Sequence, residues 1–164
     1  MATVDDAIDA LTELGFPRRQ LNERSGLVLL ALLGLAPDKE WSEATAPLCG
    51  ITPMMDHMAE HYGKKYAPNS RETVRRQTVH QFLTGGLILQ NPDQPNRPVN
   101  SGKTTYQVNS FALDLLRSYG SAEWTLALRR YQLRPRSVRY GVGGWSWVLD
   151  GVSGLLSMGG GAVG

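Results

Sequence analysis

The stretch from Gly50 to Val108 constrains the fold of this chain more than any other. It opens with ITPMMDHMAEHY, closed by Gly63, and continues through a short basic turn into SRETVRRQTVHQFLT, closed by Gly85-Gly86. Two short apolar or β-branched runs follow, separated by the loop NPDQPNRPVNSGK. Thr52-Pro53 reads as a helix start, a cap residue followed by proline in the first turn. Asn69 lies three residues before Glu72, the spacing of a capping box. Leu87 to Gln90 and Thr104 to Val108 have strand character, and the proline- and asparagine-rich loop between them suits an irregular tip. Helix, turn, helix and hairpin in that order predict a winged helix-turn-helix. The expected class is mainly α: a helical scaffold carrying a three-helix core and a small β-hairpin wing.

The scaffold is legible on either side. Thr3 can cap a helix whose first turn holds Asp5 and Asp6, and Val4, Ala7, Ile8, Leu11 and Leu14 keep helical spacing. Gly15 can close it in a left-handed conformation, and Pro17 can open a second helix. Residues 27–35 are almost wholly apolar but too short to cross a bilayer, which predicts a buried central helix. Pro37 to Cys49 reads as a connection with one helical turn around Trp41. Residues 1–131 are expected to form the helical domain. Residues 132–164 form a glycine-rich tail, expected to be disordered or the product of a frameshifted or truncated reading frame; residues 141–164 carry nine of the chain's eighteen glycines.

A single cysteine, Cys49, excludes a disulfide framework and reads as a small buried apolar side chain. The acidic, amphipathic start does not resemble a secretion signal, and no apolar run is long enough to span a membrane. A cytoplasmic location is expected, with no membrane partner.

The net charge of +2 hides a strong asymmetry. Residues 1–63 hold ten carboxylates against four basic side chains, a net −6; residues 64–107 hold seven basic side chains against Glu72 and Asp93, a net +5. Positive charge gathered on one supersecondary unit is the footprint of a polyanion site.

On the second helix of that unit, Val74, Thr78 and Phe82 share one face and are expected to pack inward. Thr73, Arg76, Gln77 and His80 share the opposite face. Arginine can donate twice to guanine and glutamine can pair with adenine, so this face is expected to read base edges. Lys64, Lys65, Ser70, Arg71 and Arg75 lie in the turn or near the helix start, where phosphates would pass; Arg97 and Lys103 lie on the wing and suit backbone or minor-groove contact. Taken singly, each is an ordinary exposed polar residue. Taken together, they form a contiguous non-acidic surface, and double-stranded DNA is the expected partner.

The strings QLNERSGLVLLALLGL (20–35), GITPMMDHMAEHYGK (50–64), YAPNSRETVRRQTVHQFLTGGLI (66–88) and NRPVNSGKTTYQV (96–108) resemble the N-terminal helix-turn-helix domain of BsuBI/PstI-type restriction endonucleases. The resemblance spans roughly residues 10 to 120, and Trp124, Leu128 and Tyr131 are similar to the family's linking helix. It implies a type II site-specific deoxyribonuclease of bacterial origin that cuts duplex DNA with magnesium, as a homodimer, with a PD-(D/E)xK nuclease unit C-terminal to this domain. That nuclease chemistry needs two carboxylates for Mg²⁺ and a nearby lysine. The four lysines follow Pro37, Tyr62, Gly63 and Ser101 at two residues' distance, so no (D/E)-x-K is present, and none lies beyond Lys103. The chain is therefore expected to bind DNA without cutting it. A stand-alone winged-helix transcription regulator is the alternative. A remote one is a zinc metallopeptidase, because His57-Met58-Ala59-Glu60-His61 has the H-x-x-E-H spacing.

Overall fold

The computed structural model describes residues 1–98 and 101–134. The expected glycine-rich tail, from residue 135 on, lies outside them.

Helix α1 (Val4–Leu14) starts as its sequence predicts: the Thr3 hydroxyl accepts the Asp6 N–H at 3.1 Å, and Gly15 closes it at φ +108°. Pro17 does not open the next helix. It precedes a single 3₁₀ turn (Arg18–Gln20), and α2 (Glu23–Leu32) begins at Asn22. Asn22 and Ser25 form a reciprocal capping box, stronger than a lone proline because it satisfies two backbone donors at once. From Ser25 to Leu32 every residue of α2 is buried. The helix is apolar all round because α1, the two helices of residues 51–62 and 71–84, and the hairpin pack against it. A 3₁₀ turn at Trp41–Glu43 interrupts the following connection, as expected.

Helix α3 (Ile51–Tyr62) begins two residues earlier than Thr52-Pro53 predicts. Gly50 is its N-cap, and the Thr52 hydroxyl instead accepts from Arg71 Nε at 3.2 Å. Gly63 ends it at φ +65°. Helix α4 then runs continuously through Arg71–Thr73, Val74–Val79 and His80–Thr84. Asn69 caps nothing here: residues Pro68–Ser70 form a 3₁₀ turn, and the Glu72 carboxylate binds Arg75 instead of reaching back. The middle segment of α4 is π-helical, with the His80 N–H reaching the Arg75 carbonyl. Val74, Thr78, Val79 and Phe82 are all fully buried.

Strands β1 (Ile88–Gln90) and β2 (Tyr106–Val108) pair antiparallel, with Ile88 opposite Val108 and Gln90 opposite Tyr106. They are shorter than the sequence runs suggest. Cys49 adds a two-bond bridge to Tyr106, a third short edge that ties the segment before α3 to the hairpin. The Cys49 thiol is buried, and desolvation pushes its pKa to about 11, which suits an inert packing residue. Helix α5 (Ser110–Leu116) is capped by Asn109, which also donates to the Gly86 carbonyl at 2.6 Å and so fixes α5 to the end of α4. Helix α6 (Trp124–Leu133) returns to α1, where Trp124 Nε1 donates to Glu13 Oε1 at 3.0 Å. It runs two residues past the expected boundary at 131. The described residues thus form a mainly helical protein with one small two-stranded sheet, and no helix among them is long and apolar enough to cross a membrane.

Candidate nucleic-acid interface

The helix-turn-helix presents α4 on the surface with the predicted rotation. Val74, Thr78 and Phe82 face the core, while Arg76, Gln77 and His80 face outward and Thr73 is half-buried at the edge. Arg76 has 72 % of its side chain exposed. Glu72, Thr73, Arg76 and Gln77 line a shallow groove of about 380 Å³ on this face. An outward Arg-Gln pair on a surface helix can present two donors to a guanine and a donor–acceptor pair to an adenine.

The cations around this face differ in how free they are. Lys65 and Lys103 have exposed side chains without a hydrogen-bond or ion-pair partner among the described residues. Arg71 touches Thr52 across the turn. Lys64 pairs with Glu23 of α2 at 2.9 Å, and that hydrogen bond raises its pKa. Arg75 is held by both oxygens of Glu72, and Arg76 lies 4.0 Å from the same carboxylate. The Arg75 hydrogen bonds hold the Glu72 carboxyl below the usual carboxylate range, with Arg76 and Arg71 adding to the effect. Ser70, half-buried at the turn, makes no side-chain capping hydrogen bond. All of these groups are solvated, so each internal pair is weak and open to exchange for a phosphate.

Arg97 corrects the sequence expectation. Its side chain is only 11 % exposed. Its guanidinium donates to Asn91 Oδ1 at 2.8 Å, Asp93 Oδ2 at 3.0 Å, Gln94 Oε1 at 3.2 Å and Thr105 Oγ1 at 3.3 Å. Asn91, at φ +50°, turns the loop back so that these acceptors converge. Arg97 therefore braces the hairpin loop from within, its Nη1 and Nη2 donors engaged by the loop's own acceptors. Arg97→Ala should cost about 1–3 kcal/mol of folding stability in thermal melts, and should leave the salt dependence of DNA binding unchanged. A phosphate contact would instead reduce the log–log salt slope by about one.

Arg24 is a member of this surface that sequence reasoning did not pick out. From the first turn of α2 it donates to Thr78 Oγ1 at 2.9 Å and to Gln77 Oε1 at 3.1 Å.

The H-x-x-E-H residues sit on α3, away from this face. The His57 and His61 rings lie 4.6 Å apart and His61 Nε2 is 3.3 Å from Glu60. Among the described residues no three histidine, cysteine, aspartate or glutamate side chains converge as a metal site. The H-x-x-E-H residues thus have no further such side chain converging on them among the described residues to complete a zincin centre. Burial of His57, with the neighbouring His61 charge, lowers its pKa below the ordinary value near 6.5, against a smaller opposing pull from Glu60. The unfolded chain then binds more protons than the folded one as pH falls through 6.5, so stability should drop on acidification. Melting temperature should fall from pH 7.5 to 5.5, and fall less in His57→Gln.

Residues 1–138 match the family model described as the BsuBI/PstI restriction endonuclease HTH domain. Over 130 residues the chain is 54 % identical to the type II restriction enzyme BsuBI of Bacillus subtilis, a match covering 79 % of this chain and 41 % of that protein. It is 37 % identical over 135 residues to the type II restriction enzyme AplI of Arthrospira platensis, covering 82 % and 41 %. The solved structure of the SdaI restriction endonuclease superposes with a TM-score of 0.74 at 37 % identity, over 78 % of this chain and 40 % of that one. The chain thus spans about two fifths of the length of the relatives it matches.

Proposed function

We propose that this chain, which belongs to the BsuBI/PstI restriction endonuclease HTH-domain family, is the double-stranded-DNA recognition module of a type II restriction endonuclease. The observation that carries the reading is α4, whose inner side buries Val74, Thr78, Val79 and Phe82 and whose outer side offers Arg76, Gln77 and His80, with Arg71 and Arg75 exposed along the same helix. In this reading α4 enters the major groove, α3 supports it, and the β1–β2 hairpin is the wing beside it. Arg76 and Gln77 read base edges, while Lys65, Arg71, Arg75 and Lys103 meet phosphates. Magnesium-dependent cleavage, in this reading, belongs to a nuclease unit outside the described residues.

The test separates base readers from phosphate binders. Arg76→Ala should weaken binding to the preferred duplex by about 1–3 kcal/mol and spare scrambled duplexes. Lys65→Ala should weaken both alike. Titration of labelled duplexes with each variant checks this. Equal losses on both duplexes for Arg76→Ala would remove it from base readout.

A further inference from the structure

We propose that Arg24 is a positioning residue that orients Gln77 for base recognition. The proposal rests on the reading of α4 as the base-reading helix, and adds a residue from outside the helix-turn-helix to its specificity apparatus. Arg24 sits in the first turn of α2, which the Asn22–Ser25 capping box makes rigid. The same turn holds the helix-turn-helix a second time through the Glu23–Lys64 pair. Its Nε–H donates to the Thr78 hydroxyl, which is fully buried, so the guanidinium itself is anchored. Its Nη2 donates to Gln77 Oε1 at 3.1 Å.

A guanidinium has donors only. Gln77 must therefore turn its carbonyl oxygen toward Arg24, because the flipped amide would set NH₂ against N–H. The Gln77 amide is left with a second lone pair on Oε1 and with Nε2–H groups that have no partner among the described residues. In the major groove an adenine edge donates N6–H to such a lone pair and accepts such an N–H at N7. A free surface glutamine would lose entropy to hold that geometry; Arg24 holds it before DNA arrives. A lysine could not bind both Thr78 and Gln77 in this planar, two-pronged way.

The experiment selects bound duplexes from a pool with a randomised central block, using the full chain as wild type, Gln77→Ala, Arg24→Met and Arg24→Met/Thr78→Val. The double variant removes the buried hydroxyl together with its donor, so a folded protein is available even if Arg24→Met melts early. Both Arg24 variants should lose preference at the same base pair as Gln77→Ala, by roughly tenfold or more. Adding Gln77→Ala to them should cause no further loss, and the salt slope should stay at the wild-type value. If affinity falls alike on all duplexes and the slope drops by about one, Arg24 is a phosphate contact and the proposal is overturned. Wild-type preference retained in both Arg24 variants overturns it too. If the wild type itself selects no sequence, the base-reading assignment of α4 fails first, and the proposal falls with it.

Discussion

Phe82→Ala should destabilise the fold by about 3–5 kcal/mol, the cost of emptying a large, fully enclosed aromatic site. Phe82 is fully buried at the core-facing side of α4 and meets the Phe16 ring edge-on, with centroids 5.6 Å apart. Phe16 in turn closes on Gly85, where a Cβ would lie 2.7 Å from the ring, so the site has little freedom to collapse and fill the void. Against a domain stability of about 5–15 kcal/mol, the loss is large enough to bring the melting transition down by many degrees. DNA binding should disappear with the fold, equally for all sequences. The contrast with Arg76→Ala fixes the rotation of the helix. Arg76→Ala should melt like wild type and lose discrimination. The reverse pattern, a stable Phe82→Ala that is blind to sequence and an Arg76→Ala that melts, would place the helix half a turn away from its described orientation.

That rotation was readable because helical period needs only local information. Val74, Thr78 and Phe82 repeat every four residues, and burial follows the repeat. The π-helical segment within α4 was not legible, because it depends on which side chains the neighbouring helices bury. The starts of α2 and α3 differ from the sequence expectation for a related reason. Pro17 and Thr52-Pro53 are acceptable first-turn residues, yet Asn22 with Ser25 satisfies more backbone donors, and Thr52 is engaged by Arg71. Arg97 looked like an exposed wing cation because its loop is polar. The left-handed Asn91, Asp93 and Thr105 fold that loop back and enclose the guanidinium, a tertiary arrangement with no sequence period. Arg24 lies 53 residues from Gln77, and no spacing rule joins them.

The charge asymmetry, by contrast, is read directly from the sequence. It predicts the second large effect, on affinity rather than on stability. Lys65 in the turn, Arg71 and Arg75 on α4 and Lys103 in the hairpin loop are exposed and either unpaired or weakly paired among the described residues. If each neutralises one phosphate, four counterions are released from the duplex on binding. Each contributes about 0.9 to the log–log slope, giving a value near −4. Raising salt from about 50 to 200 mM should then weaken binding by roughly two orders of magnitude. Internal ion pairs soften the estimate in a testable way: Arg75 must leave Glu72 to meet DNA, so Glu72→Gln should tighten binding to every duplex.

The most direct test of the central claim, that this helix-turn-helix grips duplex DNA through its basic face, is therefore a salt titration of the affinity for a short labelled duplex. A steep linear fall with a slope near −4, reduced by about one in Lys65→Ala, is the predicted result. A flat salt dependence, or no binding at the lowest salt, would contradict it.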